Sequence, residues 1–168
     1  LATDLANAQP AEHGLRTALL ATRLAAHEAL PMRSDVFWAG LLRYLGCNGF
    51  ALEEGVYSAG DDIGLRASFA RIDLGRPSQF VAATLRDLGR GASPAARLGG
   101  ITRLLTDPGA ARRHAHAQCE TARFCGRKLG MGEAVLQALD EFDERYDGRG
   151  HPHGKRGTEL SPVTRYVE

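Results

Sequence analysis

Apolar residues recur at intervals of three and four along most of the chain, and strict alternation is absent. That period gathers them on one side of a helix, whereas a half-buried strand needs a period of two. The pattern therefore predicts an all-α protein. A first helix is expected from about Ala11 to Leu30, with Leu20, Leu24 and His27 on one face beside Leu19 and Ala26, and Pro31 ends it. Asp35 is placed to cap a second helix, Val36 to Leu45, which carries Phe37, Trp38, Leu41, Leu42 and Leu45. Short helices are expected over Leu52–Tyr57 and from Gly60-Asp61-Asp62 to Phe69, with the Asp pair as the cap. Pro77 and Pro94 open helices reaching Leu88 and Leu105. Asp107-Pro108 reads as an N-cap followed by Pro at the first helical position of a long helix that ends at Leu129, before Gly130. A helix from Gly132 to Tyr146 bears the stripe Val135, Leu139, Phe142 and Tyr146. A Gly-rich loop follows, Asp147 to Ser161, and Pro162 opens the last helix.

The length of 168 residues suits a single domain, residues 1–168, and a 43% hydrophobic content supplies its core. Lys plus Arg number 21 against 20 Asp plus Glu, so the net charge of +1 argues against a nucleic-acid coat while leaving room for a local phosphate site. Three cysteines at irregular spacing make neither a disulfide framework nor a zinc ribbon, which points to a reducing, cytoplasmic setting. No apolar run has the length of a membrane span, and no membrane partner is expected. The start at Leu1 and the helical pattern running into Glu168 read as a fragment of a longer protein.

The most informative stretch is Asp143-Glu144-Arg145-Tyr146-Asp147-Gly148-Arg149-Gly150-His151-Pro152-His153-Gly154-Lys155-Arg156-Gly157. It resembles the signature of the HD-GYP phosphohydrolases, roughly H-H-E-R-W-D-G-x-G-Y-P-x-G-x-x-G. Glu144, Arg145, Asp147, Gly148, Gly150, Pro152, Gly154 and Gly157 match in register, while Tyr146 stands for Trp and His151 for the Tyr of the name motif. Taken alone, the loop is a glycine-rich connection between helices; eight matches in one register favour the family reading. The resemblance implies an HD-domain-like helical bundle with this loop near its C-terminus. It also implies hydrolysis of phosphodiesters, typically cyclic dinucleotides, at two or three metal ions held by His and Asp, a ligand set suited to Fe and Mn.

Carried over residue by residue, the resemblance leaves few of those ligands. His13 matches the His of the family's first helix. The His-Asp pair falls on Arg43 and Tyr44, within Leu41-Leu42-Arg43-Tyr44-Leu45-Gly46-Cys47, and the following Lys falls on Cys47. A guanidinium cannot be deprotonated to ligate a metal, but it attracts phosphate. The two His before the signature are Phe142 and Asp143. Phe142 reads as core, and Asp143 as either a ligand or a hydrogen-bonded carboxylate. His114 is preferred over His116 as the ligand on the long helix, with Gln118 an alternative. Asp61 and Asp62 read as caps. If any metal binds, the implied candidates are thus His13, His114 and Asp143, with Fe, Mn or another divalent ion; otherwise no cofactor is expected.

Arg43, Arg145, Arg149 and Lys155, with Arg156 beside them, are the candidates for holding a nucleotide or other phosphate; the alternative is that the loop's cations balance Glu141, Glu144 and Asp147. Three expectations follow: a catalytically degenerate regulatory module that binds such a ligand without cleaving it, an active phosphohydrolase with an altered ligand set, or a structural module that forms homodimers. The Leu41–Cys47 stretch also resembles a divergent branch associated with actinobacterial transcription regulators, which implies a fused DNA-binding or signalling domain.

Overall fold

The computed structural model describes residues 2–28, 31–47, 49, 51–73, 75–107 and 109–167. These form helices α1 (Ala2–Ala6), α2 (His13–His27), α3 (Arg33–Leu42), α4 (Ala51–Tyr57), α5 (Asp62–Phe69), α6 (Pro77–Asp87), α7 (Pro94–Thr106), α8 (Ala110–Lys128), α9 (Glu133–Asp140) and α10 (Thr164–Val167), with a 3₁₀ turn at Gly157–Glu159. No strand occurs among the described residues. The architecture is all-α, a helical bundle consistent with the HD-domain-like arrangement.

The main core lies among α2, α3, α8, α9 and α10, and it is built largely from small side chains. Ala21, Ala25, Val36, Ala39, Ala122, Val135, Ala138, Leu139, Val163 and Val167 make up its buried centre. Alanine and glycine faces let helix axes approach closely. A Cβ on Gly40 of α3 would lie 2.9 Å from the Ala18 Cα of α2. This explains an outcome that periodicity did not foresee. The face of α2 turned inward carries Gly14, Ala18, Ala21 and Ala25, while Leu19, Leu20 and Leu24 are 46%, 66% and 52% exposed.

Helices α4 to α7 pack largely on one another, around Leu65, Ala83, Thr84 and Leu88. Arg66 of α5 joins this group to the rest. Its guanidinium pairs with the Glu54 carboxylate and donates to the carbonyls of Ala6 (2.9 Å) and Cys47 (3.2 Å) and to Asn7 Oδ1 (3.3 Å).

Several helix ends differ from expectation. α3 begins at Arg33, so Asp35 lies in its first turn rather than at the cap; there its charge still meets the positive end of the helix. α3 stops at Leu42, and residues 43–47 run through turns. Gly109 precedes α8, and Asp107 acts from outside it, accepting from Gly109 N–H (3.2 Å) and pairing with Arg113. Pro108, Leu30 and Glu168 lie outside the described residues. Asp61 caps α5 as expected, through a 2.9 Å bond from Gly64 N–H.

Gly46 makes the turn after α3 possible. A Cβ there would fall 1.9 Å from the Gln118 carbonyl oxygen of α8. Backbone meets backbone, so a side chain forces the two segments apart. We predict that Gly46→Ala destabilises the chain by about 2–3 kcal/mol in urea unfolding, the upper range for overpacking, whereas Gly55→Ala, with open space around it, changes little.

Candidate functional site

The site forms where the end of α3, the start of α2, the exit of α9 and the last turn of α10 meet. Arg43 follows α3 immediately and is half-buried. Its guanidinium carbon stands 5.2 Å from the ring centres of both Tyr44 and Phe142. Nη1 donates to the Val167 carbonyl of α10 at 2.8 Å, while Nε is buried with no partner among the described residues. Tyr44 meets Phe142 edge-on at 5.8 Å, and the His13 ring lies 6.0 Å from Tyr44.

Asp143 completes the group and is half-buried. Burial pushes its carboxyl up to about 6, Glu144 adds to the rise, and the Arg43 charge opposes it. The thiols of Cys47 and Cys119 are pushed up to about 12, by burial first and by Asp143 next. His114 lies on the inner side of α8, whereas His116 is exposed and 3.6 Å from Glu120. Burial lowers the His114 pKa; Glu54 opposes that and Arg66 adds to it. The charges felt at His114 are thus those of the Glu54–Arg66 pair, while Asp143 feels Arg43 and Glu144. The candidates His13, His114 and Asp143 do not converge. Among the described residues no three His, Cys, Asp or Glu side chains are grouped to hold a metal ion. Arg43, whose guanidinium cannot act as a metal ligand, places its charge on Asp143.

The loop after α9 is organised by two carboxylates: Glu141, expected only as a counter-charge, and Glu144, expected as a counter-charge and as a match to the signature. Glu141 and Glu144 are both 0% exposed. Glu144 accepts three backbone N–H bonds, from His153 (2.6 Å), Gly154 (3.1 Å) and Lys155 (2.8 Å). Glu141 accepts from Gln137 Nε2 (3.0 Å), Lys155 Nζ (2.7 Å), Ser161 N–H (2.8 Å) and the Thr164 hydroxyl (2.6 Å). Burial alone would raise the Glu141 pKa, but the Lys155 ammonium and the other donors hold it below the ordinary range. Gly150 permits the fold-back; a Cβ there would lie 2.3 Å from Arg145 N and 2.4 Å from Glu144 Cα. The retained Glu of the signature was the available signal for this hub.

These demands redirect the predicted phosphate ligands. Lys155 is committed to Glu141. Arg145 pairs with Asp147 (3.0 Å) and Asp73 (3.2 Å), and the Asp147 carboxyl is driven down to about 2, chiefly by Arg145. Arg149 bonds to Asp147 through its N–H and reaches the Gly75 carbonyl at 3.5 Å. Together they dock the loop on the turn between α5 and α6. The expected stripe on α9 is also interrupted. The helix ends at Asp140, Phe142 turns to Tyr44, and Tyr146 is 68% exposed. Asp62 lies 3.9 Å from Arg66.

The comparisons bear on this site. No family model matches the chain. It is 25% identical over 167 residues to the 3'3'-cGAMP-specific phosphodiesterase 3 of Vibrio cholerae serotype O1, an alignment covering 98% of this chain and 36% of that protein. The chain thus spans about a third of the length of its curated relative. No solved structure matches. The likeness supports a distant HD-domain phosphohydrolase-like relationship, which agrees with the loop and the all-helical bundle.

Two expectations follow from the geometry. Glu144→Gln, which turns an amide N–H₂ towards backbone donors, lowers stability by about 3 kcal/mol in denaturant unfolding; a change below about 0.5 kcal/mol counts against the hub. The Asp143 carboxyl, followed by NMR, titrates near 6, and Arg43→Met moves its midpoint higher. Because this folded-state pKa is raised, the Asp143 contribution to stability is present below about pH 4 and lost as pH rises through 6. Asp143→Asn abolishes that component, and an unperturbed midpoint near 4 overturns the assignment.

Proposed function

We propose that the chain is a ligand-binding regulatory module on a phosphohydrolase-like scaffold, which holds a cyclic dinucleotide or related phosphodiester without hydrolysing it. The observation that carries the reading is Arg43. It stands where the resemblance of the Leu41–Cys47 stretch implies the His of the His-Asp pair, flanked by Tyr44 and Phe142 and bonded to Val167. A guanidinium stays protonated, repels a metal ion and suits a phosphate oxygen. Its buried Nε has no acceptor among the described residues, so the guanidinium's hydrogen-bonding capacity is not used up at this site. Aromatic faces beside a guanidinium suit a base as well as a phosphate.

The relative's name supports the ligand class, since that protein acts on 3'3'-cGAMP. Arg43 is the basic residue on which the reading rests, because Arg145, Arg149 and Lys155 serve the loop. Residues 1–168 act as one domain in this reading, within a longer cytoplasmic regulator that carries a DNA-binding or signalling domain.

Three measurements on one preparation test it: metal content by elemental analysis after chelator-free purification, calorimetric titration with 3'3'-cGAMP, and chromatography for hydrolysis products. Metal far below one ion per chain, saturable binding, no product, and a loss of roughly tenfold or more in affinity for Arg43→Met are expected. One or more Fe or Mn ions per chain with turnover overturns the reading in favour of an active enzyme. Absence of both binding and turnover overturns it as well.

A further inference from the structure

The outward face of α2 leaves its leucines uncovered among the described residues. Leu20 and Leu24 sit one helical turn apart on it, 66% and 52% exposed, with Leu19 beside them at 46%. Arg16 lies one turn before Leu20, and Glu28 one turn after Leu24, so the face reads Arg–Leu–Leu–Glu at four-residue steps. Both charged residues are exposed. Arg16 and Glu28 stand twelve residues apart, about 18 Å along the axis.

We infer that this face is the contact between two copies of the chain, packed as antiparallel helices about a two-fold axis passing over position 22. In that register Leu20 of one copy meets Leu24 of the other, twice, and Arg16 meets Glu28, twice. A shift of one turn in either direction sets a leucine against Glu28 or Arg16. Parallel packing brings Arg16 onto Arg16 and Glu28 onto Glu28. Like charges oppose parallel packing, the cost of burying a charge against leucine opposes the shifts, and the antiparallel register alone matches both the apolar and the charged positions. Thr22, level with the axis but turned nearly to the opposite side of the helix from Leu20 and Leu24, gives its hydroxyl to the Ala18 carbonyl at 2.7 Å and takes no part in the contact. The Arg16–Glu12 ion pair (3.5 Å) is solvent-exposed, and Glu28 bonds to the Tyr166 hydroxyl through Oε2, so neither contact removes its residue from the pairing. The inference is independent of what the Arg43 site binds.

The test is self-association of the 168-residue chain by sedimentation velocity across the micromolar range. The wild type sediments as a dimer. Leu20→Glu and Leu24→Glu weaken dimerisation by roughly 100-fold, and Arg16→Glu by roughly tenfold. The charge swap Arg16→Glu with Glu28→Arg returns it to within about threefold of wild type, since each copy again meets an opposite charge. Circular dichroism confirms that the variants keep their helices. In a second measurement, Leu20→Cys with Leu24→Cys cross-links two copies on mild oxidation, while Leu20→Cys alone does not. A monomeric wild type, a dimer indifferent to the leucine changes, or failure of the swap to restore pairing overturns the inference.

Discussion

Two carboxylates without access to water govern this molecule. A buried charge is costly unless hydrogen bonds replace its hydration, and Glu141 and Glu144 are replaced almost entirely from one segment, residues 153–164. The chain must therefore leave α9 at Asp140, fold back at Gly150, and present consecutive N–H groups inward. Once it does so, the last turn of the molecule is also placed. Ser161 and Thr164, which lead into α10, hydrogen-bond to Glu141, and the Val167 carbonyl arrives beside Arg43. The site is thus downstream of the loop's electrostatics rather than built on separate supports.

The same requirement explains how the basic residues are used. Two cations of the loop answer nearby carboxylates: Lys155 that of Glu141, and Arg145 those of Asp147 and Asp73. Arg43 differs, because Nη1 spends its bond on a carbonyl and its charge acts on an adjacent half-buried acid whose proton affinity is raised. An acid, a guanidinium and two aromatic rings are thus gathered at the end of α3.

Much of the architecture was legible in the sequence. Helical period excluded strands, Asp61 was recognisable as a cap, and Gly130 did end the turn after α8 with a φ of 74°. The neighbours of His114 favoured it over His116, and it is the less exposed of the two. Other features depended on partners distant in sequence. Which face of α2 goes inward is decided by how closely Gly40 lets α3 approach, so the alanines are buried and the leucines are not. The early stop of α9 follows from donors more than ten residues further on. The work of Arg66, which gathers Glu54, Cys47, Ala6 and Asn7, has no local signature at all.

The two thiols packed beside this site carry a consequence for reactivity. With the pKa of Cys47 and Cys119 pushed up to about 12, the thiolate fraction at neutral pH is on the order of one part in 10⁵. Both are also buried. Peroxide and alkylating reagents act through the thiolate, so neither sulfur is a target while the chain is folded. Cys125, half-buried on α8, is the cysteine left within reach of a label. Reagent uptake beyond one equivalent would therefore report opening of the packed region between α3 and α8, turning an inert pair of sulfurs into a clock for local unfolding.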